Sequence, residues 1–119
     1  MQKNVLNTDL TGKVAVVTGA GGVLCSAFSK TLARAGAKVA LLDLNDVAAE
    51  EVAAEIRAEG GEAKAYKCDV LNKDICYEVA DLIEKEIGKC DILVNGAGGN
   101  NAKATTKESI KPLYYKQVI

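Results

Sequence analysis

Short apolar runs alternate with longer amphipathic stretches along the chain. The runs VAVV at 14–17 and KVALLD at 38–43 have the length and apolar character of buried strands. A more polar run at 62–70 predicts an edge strand, and the run at 90–100 predicts a fourth strand leading into a glycine-rich loop. The pattern therefore predicts four strands.

Three helices are predicted between these strands. Apolar residues recur at helical spacing over 23–35, where Gly36 predicts the helix end. The stretches 45–61 and 72–88 are also amphipathic, and each ends in glycine. The predicted apolar faces are Val23, Leu24, Ala27, Phe28, Thr31, Leu32 and Ala35 in the first helix, Val52 and Ile56 in the second, and Ile75, Val79, Leu82, Ile83 and Ile87 in the third.

Strands separated by helices of this length must pair in parallel through right-handed crossovers, with both faces of the sheet covered. We therefore expect an α/β fold, a Rossmann-like doubly wound parallel sheet of about four strands. Residues 1–106 are predicted to form a single domain. Residues 107–119, polar and then weakly amphipathic, are predicted to be a tail or the start of a further helix.

Composition excludes several classes of function. The 119 residues contain no histidine, which excludes a catalytic histidine or a histidine-ligated metal, and the net charge of −1 gives no electrostatic case for nucleic acid. No apolar segment is long enough for a membrane span, and the N-terminus lacks the apolar core of a signal peptide. The four cysteines form no CxxC pair and no zinc-like spacing, so we expect reduced thiols and a cytoplasmic protein.

The first strand is followed at once by Gly19, Gly21 and Gly22 and then by a helix. The first N–H groups of a helix lack intrahelical partners, so a loop without side chains lets a phosphate approach them. A structural turn is the alternative, although it would usually need one glycine. No Lys-Ser/Thr follows, which excludes a Walker loop, and the G-x-G-x-x-G fingerprint is matched only in Gly19 and Gly21, with Leu24 at the third place.

Polar residues end the other predicted strands. Asp43 ends the second strand, 24 residues after Gly19, where a carboxylate can accept hydrogen bonds from a ribose and repel the extra phosphate of NADP. Asp69 follows the third strand, and the NGAG segment at 95–98 ends the fourth. Capping the following helix is the alternative role for each aspartate. These groups should meet at one edge of the sheet, where open α/β sheets bind ligands.

Four segments together resemble the short-chain dehydrogenase/reductase family over about residues 8–100: GKVAVVTGAGG, LLDLN, CDV and ILVNGAG. The resemblance implies that residues 1–106 form a dinucleotide-binding domain with strand order 3-2-1-4. It further implies NAD as cofactor and hydride transfer between nicotinamide and an alcohol or carbonyl. It implies cofactor-binding roles for Gly19, Gly21, Gly22, Val23, Leu24, Asp43, Leu44, Asp69, Val70, Asn95, Gly96 and Ala97.

The glycine loop departs from the common family pattern. Val23 and Cys25 stand where the family's second and third glycines would fall, and Gly96 replaces the second Asn of N-N-A-G. A subgroup similar to fructuronate- or mannonate-type sugar-acid oxidoreductases has T-G-x-G-G-x-L-G and N-G-A-G-G-N, which leaves only Cys25 as a departure. We expect Cys25 to be tolerated with a slight displacement of the helix; a reactive thiol is the alternative.

The family's catalytic Tyr and Lys lie in Y-x-x-x-K, and this chain has no such pair. The four tyrosines, 66, 77, 114 and 115, are followed four residues later by Val70, Asp81, Val118 and Ile119. The resemblance therefore implies a cofactor-binding half with no catalytic residue, inactive alone. The alternatives are a non-catalytic nucleotide-binding module or a partner of another fragment. An uncovered fourth-strand edge predicts a homo-oligomer.

Overall fold

A computed structural model describes residues 8–97 of the chain. Strands and helices alternate strictly, as the apolar pattern predicts. The elements are β1 (Val14–Thr18), α1 (Val23–Arg34), β2 (Lys38–Asp43), α2 (Asp46–Ala58), β3 (Ala63–Lys67), α3 (Lys73–Glu86) and β4 (Ile92–Asn95). The predicted bounds hold within a few residues, and β4 ends at Asn95, directly before the predicted glycine-rich loop. The predicted tail at 107–119 lies outside the described residues.

The four strands form one parallel sheet in the order β3-β2-β1-β4, which confirms the predicted fold class and strand order. In the centre, Val16 of β1 lies opposite Ala40 of β2 and Leu93 of β4. In β3 only Tyr66 is buried, which confirms the predicted edge strand. The reversal of strand order between β1 and β4 is the topological switch point of the sheet.

Helices cover both faces of the sheet. On one face, α1 and α2 pack over a cluster that contains Val17, Leu41 and Ile56. On the other face, α3 contributes Val79 and Ile83 to a second cluster. The expected doubly wound arrangement is therefore present within four strands and three helices.

The predicted apolar face of α1 is wrong in most of its residues, although Leu32 packs against the core cluster as predicted. The structure buries Cys25, Ser29 and Ala33, whereas Val23 and Leu24 are exposed. All three buried residues are small, because the helix lies close to the sheet and larger side chains would not fit beneath it. The hydroxyl of Ser29 donates to the Cys25 carbonyl at 2.7 Å, so its burial leaves no donor unsatisfied.

The predicted apolar face of α2 is confirmed, and that of α3 is confirmed in part. In α2, Val52 and Ile56 are buried as predicted. In α3, Val79 and Ile83 are buried, but Leu82 is 47% exposed and does not belong to the core face. Leu82 directly precedes Ile83, and adjacent helical residues point about 100° apart, so both cannot face the sheet.

Candidate dinucleotide site

The carboxyl ends of all four strands meet at one edge of the sheet. All twelve predicted site residues lie on this edge, in the segments 19–24, 43–44, 69–70 and 95–97 that end or follow β1, β2, β3 and β4. This edge is where open α/β sheets bind ligands, beside the switch point. The structure therefore brings the predicted site residues together at one edge of the sheet.

Two glycines of the first loop are required by the fold. Gly19 has a φ of 67°, and a Cβ there would lie 2.8 Å from backbone atoms of Gly96 and Ala97. A Cβ on Gly21 would lie 2.7 Å from the Ala48 Cβ. Close approach of neighbouring backbone and side-chain atoms explains both glycines without a ligand.

Gly22 is different, because the fold does not require a glycine there. Its φ is −74°, which any residue adopts. A Cβ on Gly22 would meet only the Gly19 carbonyl oxygen, at 3.4 Å. Gly22 is the N-cap of α1, a position that Ser, Thr, Asp and Asn prefer. Its bareness leaves an open approach to the first N–H groups of α1.

The N-terminus of α1 differs from those of α2 and α3 in its capping. In α2 and α3 the N-cap residues Asn45 and Asn72 each accept a hydrogen bond of 3.2 Å from the backbone N–H three residues on. Each also has an acid in its first turn, Asp46 or Asp74. The α1 N-terminus has neither a side-chain cap nor an acid. Its positive dipole end and free donors therefore fit an anionic group such as a pyrophosphate.

Asp43 links the glycine loop to the end of β2. Its Oδ2 accepts from the Gly21 N–H at 2.8 Å, and its Oδ1 accepts from the Asn45 N–H at 2.9 Å. Asn45, not Asp43, is the side-chain cap of α2. Each Asp43 oxygen keeps acceptor capacity for a further donor, so the carboxylate fits the two hydroxyls of a ribose.

Sequence reasoning missed Lys67, which lies beside Asp43. The two residues are register partners in β3 and β2, and partners in adjacent strands point to the same face of the sheet. Lys67 is exposed, and the described residues include no ion pair between it and Asp43. A cation at this position bears on the choice between NAD and NADP, which differ by one phosphate near this edge.

The end of β3 shows weaker connections to the rest of the site. The Oδ1 of Asp69 accepts from the Leu71 N–H at 3.0 Å, and Asn72 caps α3 in place of Asp69. No hydrogen bond in the described part of the chain joins Asp69 to Asp43 or to the glycine loop. Val70 packs against the cluster beneath α3. Asp69 and Val70 thus share the edge but are oriented by their own turn.

Thr18, at the end of β1, fixes the loop after β4. Its Oγ1 accepts from the N–H groups of Gly96 and Ala97, both at 3.1 Å, and its carbonyl also accepts from Gly96. Cys25, which is only 8% exposed, also lies against Gly96, on the side where a Cβ would project. This burial does not favour the alternative of a reactive thiol, because reactive cysteines are partly exposed.

Three predicted site residues expose large apolar side chains. Val23 is 92% exposed, Leu24 is 66% exposed and Leu44 is 62% exposed. They surround the open N-terminus of α1 and the end of β2. Apolar surface grouped at a functional edge fits contact with an organic ligand, which would remove it from water.

The two described tyrosines, Tyr66 and Tyr77, do not have the family's Y-x-x-x-K spacing to a lysine. Burial, with help from Glu86, raises the pKa of Tyr66 to about 12, and its hydroxyl donates to Glu86 at 3.1 Å. A tyrosine acting as acid or base near neutral pH needs the opposite shift. The exposed Tyr77 has Lys73 over its ring, 5.9 Å from the centroid. Tyr114 and Tyr115 lie outside the described residues.

Residues 8–97 contain neither a candidate metal site nor a candidate membrane span. No group of three or more His, Cys, Asp or Glu side chains in this range could hold a metal ion. No helix in this range is long and apolar enough to cross a membrane. The four cysteines are all free thiols.

A parallel α/β sheet with an open helix N-terminus and an acidic β2 end defines a Rossmann-like, nucleotide-binding class of protein. Residues 13–119 match the family model of the short chain dehydrogenases, and the chain belongs to that family. It is an oxidoreductase family that acts on alcohol groups.

Three relatives illustrate the similarity. An uncharacterized oxidoreductase of Haemophilus influenzae is 57% identical over 100 residues, covering 84% of this chain and 35% of that protein. A solved structure of a presumed D-mannonate oxidoreductase, also from Haemophilus and with bound NAD, superposes with a TM-score of 0.78 at 54% identity, covering 88% of this chain and 38% of that one. The 7alpha-hydroxysteroid dehydrogenase of Escherichia coli is 42% identical over 97 residues, covering 82% of this chain and 38% of that protein. The chain thus spans little more than a third of the length of these relatives.

Proposed function

We propose that this chain is the cofactor-binding half of an NAD-dependent oxidoreductase that transfers hydride at an alcohol or carbonyl carbon. The start of α1 supports this most directly. Gly22 has no side chain there, although its backbone conformation and the surrounding atoms would accept one. That N-terminus lacks the side-chain cap and the acid found in α2 and α3. Family membership and the NAD-bound relative support the same cofactor.

Each part of the site has a proposed role. The N–H groups at the start of α1, reached past Gly22, would hold the pyrophosphate, and Asp43 would accept from the adenosine ribose. Leu44, Asp69 and Val70 would border the adenine. Gly96 and Ala97, on the β4 side of the switch point, would border the nicotinamide half. A bound nicotinamide supplies the hydride acceptor or donor.

We propose that NAD is preferred over NADP, because the Asp43 carboxylate would face the additional phosphate of NADP. Lys67 opposes this preference through its position beside Asp43. Calorimetric titration of the chain with each dinucleotide tests the proposal. We expect tighter binding of NAD⁺, and equal affinities would contradict the assignment of Asp43.

The proposed substrate class is a sugar acid or related polyol. Support comes from the loop variants at Val23-Leu24 and at 95–100 and from the similarity to the D-mannonate oxidoreductase. The hydroxysteroid dehydrogenase relative makes a sterol the competing class. Assay of the complete coding region's product against D-mannonate and a 7α-hydroxysteroid decides between them, and turnover of the steroid alone would refute the sugar-acid proposal.

A second candidate function follows from the missing Y-x-x-x-K pair: a non-catalytic nucleotide-binding module. We propose that the 119-residue chain alone does not turn over alcohols or carbonyls. Absorbance at the wavelength of reduced nicotinamide, followed with a purified homogeneous chain and a set of polyols and sugar acids, should not change. Dehydrogenase activity that co-elutes with the chain would contradict this proposal.

We further propose that the chain forms a homo-oligomer in the cytoplasm, through the face that α3 leaves partly open. A groove of about 530 Å³ lies there, bordered by apolar side chains that include Val16, Leu42, Ile83 and Leu93. β4 has no outer neighbour within the described sheet. A second copy of the chain would cover both the groove and the open strand edge.

A further inference from the structure

Cys25 and Gly96 contact each other between the start of α1 and the loop after β4. Cys25 lies in the first turn of α1 and is buried, although its neighbours Val23 and Leu24 are exposed. A Cβ built on Gly96 would collide with the Cys25 Sγ. The thiol therefore occupies the space that a side chain at position 96 would need, and the two residues are matched in size.

This contact lies where the two halves of the proposed cofactor would meet. The first turn of α1 is the proposed pyrophosphate site, and the loop at 96–97 borders the β4 side of the switch point. Thr18 holds that loop from the β1 side through two hydrogen bonds of 3.1 Å. Cys25 holds it from the α1 side by packing alone. The spacing between α1 and the loop thus depends on the size of residue 25.

We propose that Cys25 is a positioning residue for the dinucleotide: its contact with Gly96 sets the spacing between the α1 N-terminus and the loop after β4. The inference rests on the proposed function, because it concerns the same site. Asp43, which would hold the adenosine half, lies on the opposite side of β1 from this contact. AMP would reach Asp43 and the α1 N-terminus but not the loop after β4, so its binding should depend on Cys25 much less than binding of the whole dinucleotide.

A double-mutant cycle tests the contact and its role. The unchanged chain, C25A, G96A and C25A/G96A are titrated with NAD⁺ and with AMP, and each is melted without ligand. Removing Sγ leaves the Cys25 Cβ, which lies 3.5 Å from a Cβ at position 96 and does not clash. The Thr18 carbonyl oxygen would still lie 2.9 Å from that Cβ, so C25A relieves only part of the cost of G96A.

The expected result is non-additive. G96A should weaken NAD⁺ binding about tenfold in the unchanged chain but only about threefold in the C25A background, as coupled neighbours do. Binding of AMP should change less than about twofold in all four proteins. C25S keeps an atom at the γ position and is the conservative control; its NAD⁺ affinity should stay close to that of the unchanged chain.

The other possible results of these measurements bear on separate parts of the inference. Additive effects of C25A and G96A would show that the two residues do not act through their contact. Equal weakening of NAD⁺ and AMP, together with lower melting temperatures, would show a role in stability alone. If G96A does not fold, the titrations of C25A alone test the inference. Weaker NAD⁺ binding with unchanged AMP binding would support it, and unchanged NAD⁺ binding would refute it. Failure of the unchanged chain to bind NAD⁺ would refute the proposed function and the role of Cys25 with it, whereas non-additive melting would still establish the contact.

Discussion

Asp43 holds the glycine loop and the end of β2 together while keeping acceptor capacity toward the ligand edge. Its two oxygens accept one backbone N–H each, from Gly21 and Asn45. Lys67 lies beside it as its partner in β3. The cofactor preference should therefore depend on the balance between one anion and one cation at this edge.

The first prediction concerns that balance. D43A should weaken NAD⁺ binding about tenfold or more, because hydrogen bonds to a charged acceptor are lost. D43A should also strengthen NADP⁺ binding, because the positive charge of Lys67 then attracts the additional phosphate without a neighbouring carboxylate. The double variant D43A/K67A should lose that gain, and calorimetry with both dinucleotides measures each value. D43A without any change in the NAD⁺-to-NADP⁺ ratio would refute the role of Asp43.

The second prediction concerns alkaline stability. Burial raises the pKa of Tyr66 to about 12 from 10.0, so the unfolded chain releases this proton first as pH rises. The contribution of Tyr66 is therefore complete below pH 10 and is lost between pH 10 and about 12. Burial also raises the pKa of Cys68, from 9.0 to about 11, so its contribution starts to fall near pH 9.

Urea unfolding between pH 8 and pH 12 measures this loss. The unfolding free energy of Y66F should fall less steeply above pH 10 than that of the unchanged chain, because phenylalanine has no proton to release. Y77F, at an exposed tyrosine on α3, is the matched control and should keep the original slope. Identical pH profiles for Y66F and the unchanged chain would contradict the assignment.

Single residues were predictable where the strand ends placed them, and not where contacts join distant segments. The glycines and Asp43 follow from their positions after apolar runs. Lys67 required the register of β3 against β2, and the contact of Cys25 with Gly96 required the depth at which α1 lies on the sheet. Neither register nor depth is visible in a single sequence.

Among the elements, α1 shows the largest difference between pattern and structure. Its large apolar residues suggested a buried face, but small residues pack on the sheet and Val23, Leu24 and Phe28 are exposed. Periodicity alone cannot identify the buried face when close packing selects small side chains. The bounds of the elements were predictable within a few residues because glycines and asparagines mark many of their ends.

The third prediction tests this close packing. A33L places a large side chain on the face of α1 that contacts the sheet, where Ala33 is 1% exposed. Overpacking should lower the unfolding free energy by about 1–3 kcal/mol. A27L makes the same change on the exposed side of α1 and should alter it by less than about 0.5 kcal/mol. Chemical denaturation of both variants measures the difference, and equal effects would contradict the assigned face.

At the scale of the whole molecule, the order β3-β2-β1-β4 was predictable from the family resemblance, because the alternation of elements requires parallel pairing but no particular strand order. The groove between α3 and β4 was not, because its shape depends on how far α3 extends over the sheet. Apolar side chains line it, and Leu93 beside it is 58% exposed. Such a surface favours association with a second chain.

The fourth prediction concerns association. Light scattering at high micromolar concentration should give at least twice the mass of one chain. L93K should shift the population toward the monomer by placing a charge in the groove. V47K makes the same change at an exposed valine of α2, on the opposite face of the sheet, and should leave the mass unchanged. A monomeric mass for the unchanged chain would contradict the oligomer.

The N-terminus of α1 has no side-chain cap, and we propose that its N–H groups receive a phosphate group of the dinucleotide. The variant G22S tests this role, because a serine N-cap satisfies an N–H group of α1 and also fills the open approach. If this N-terminus binds phosphate, G22S has two opposite effects: the melting temperature without ligand stays the same or rises, by the equivalent of a few tenths of a kcal/mol, while NAD⁺ binding weakens by about tenfold or more. A G22S variant that is equally or more stable and binds NAD⁺ as tightly as the unchanged chain would contradict a phosphate-binding role of the α1 N-terminus.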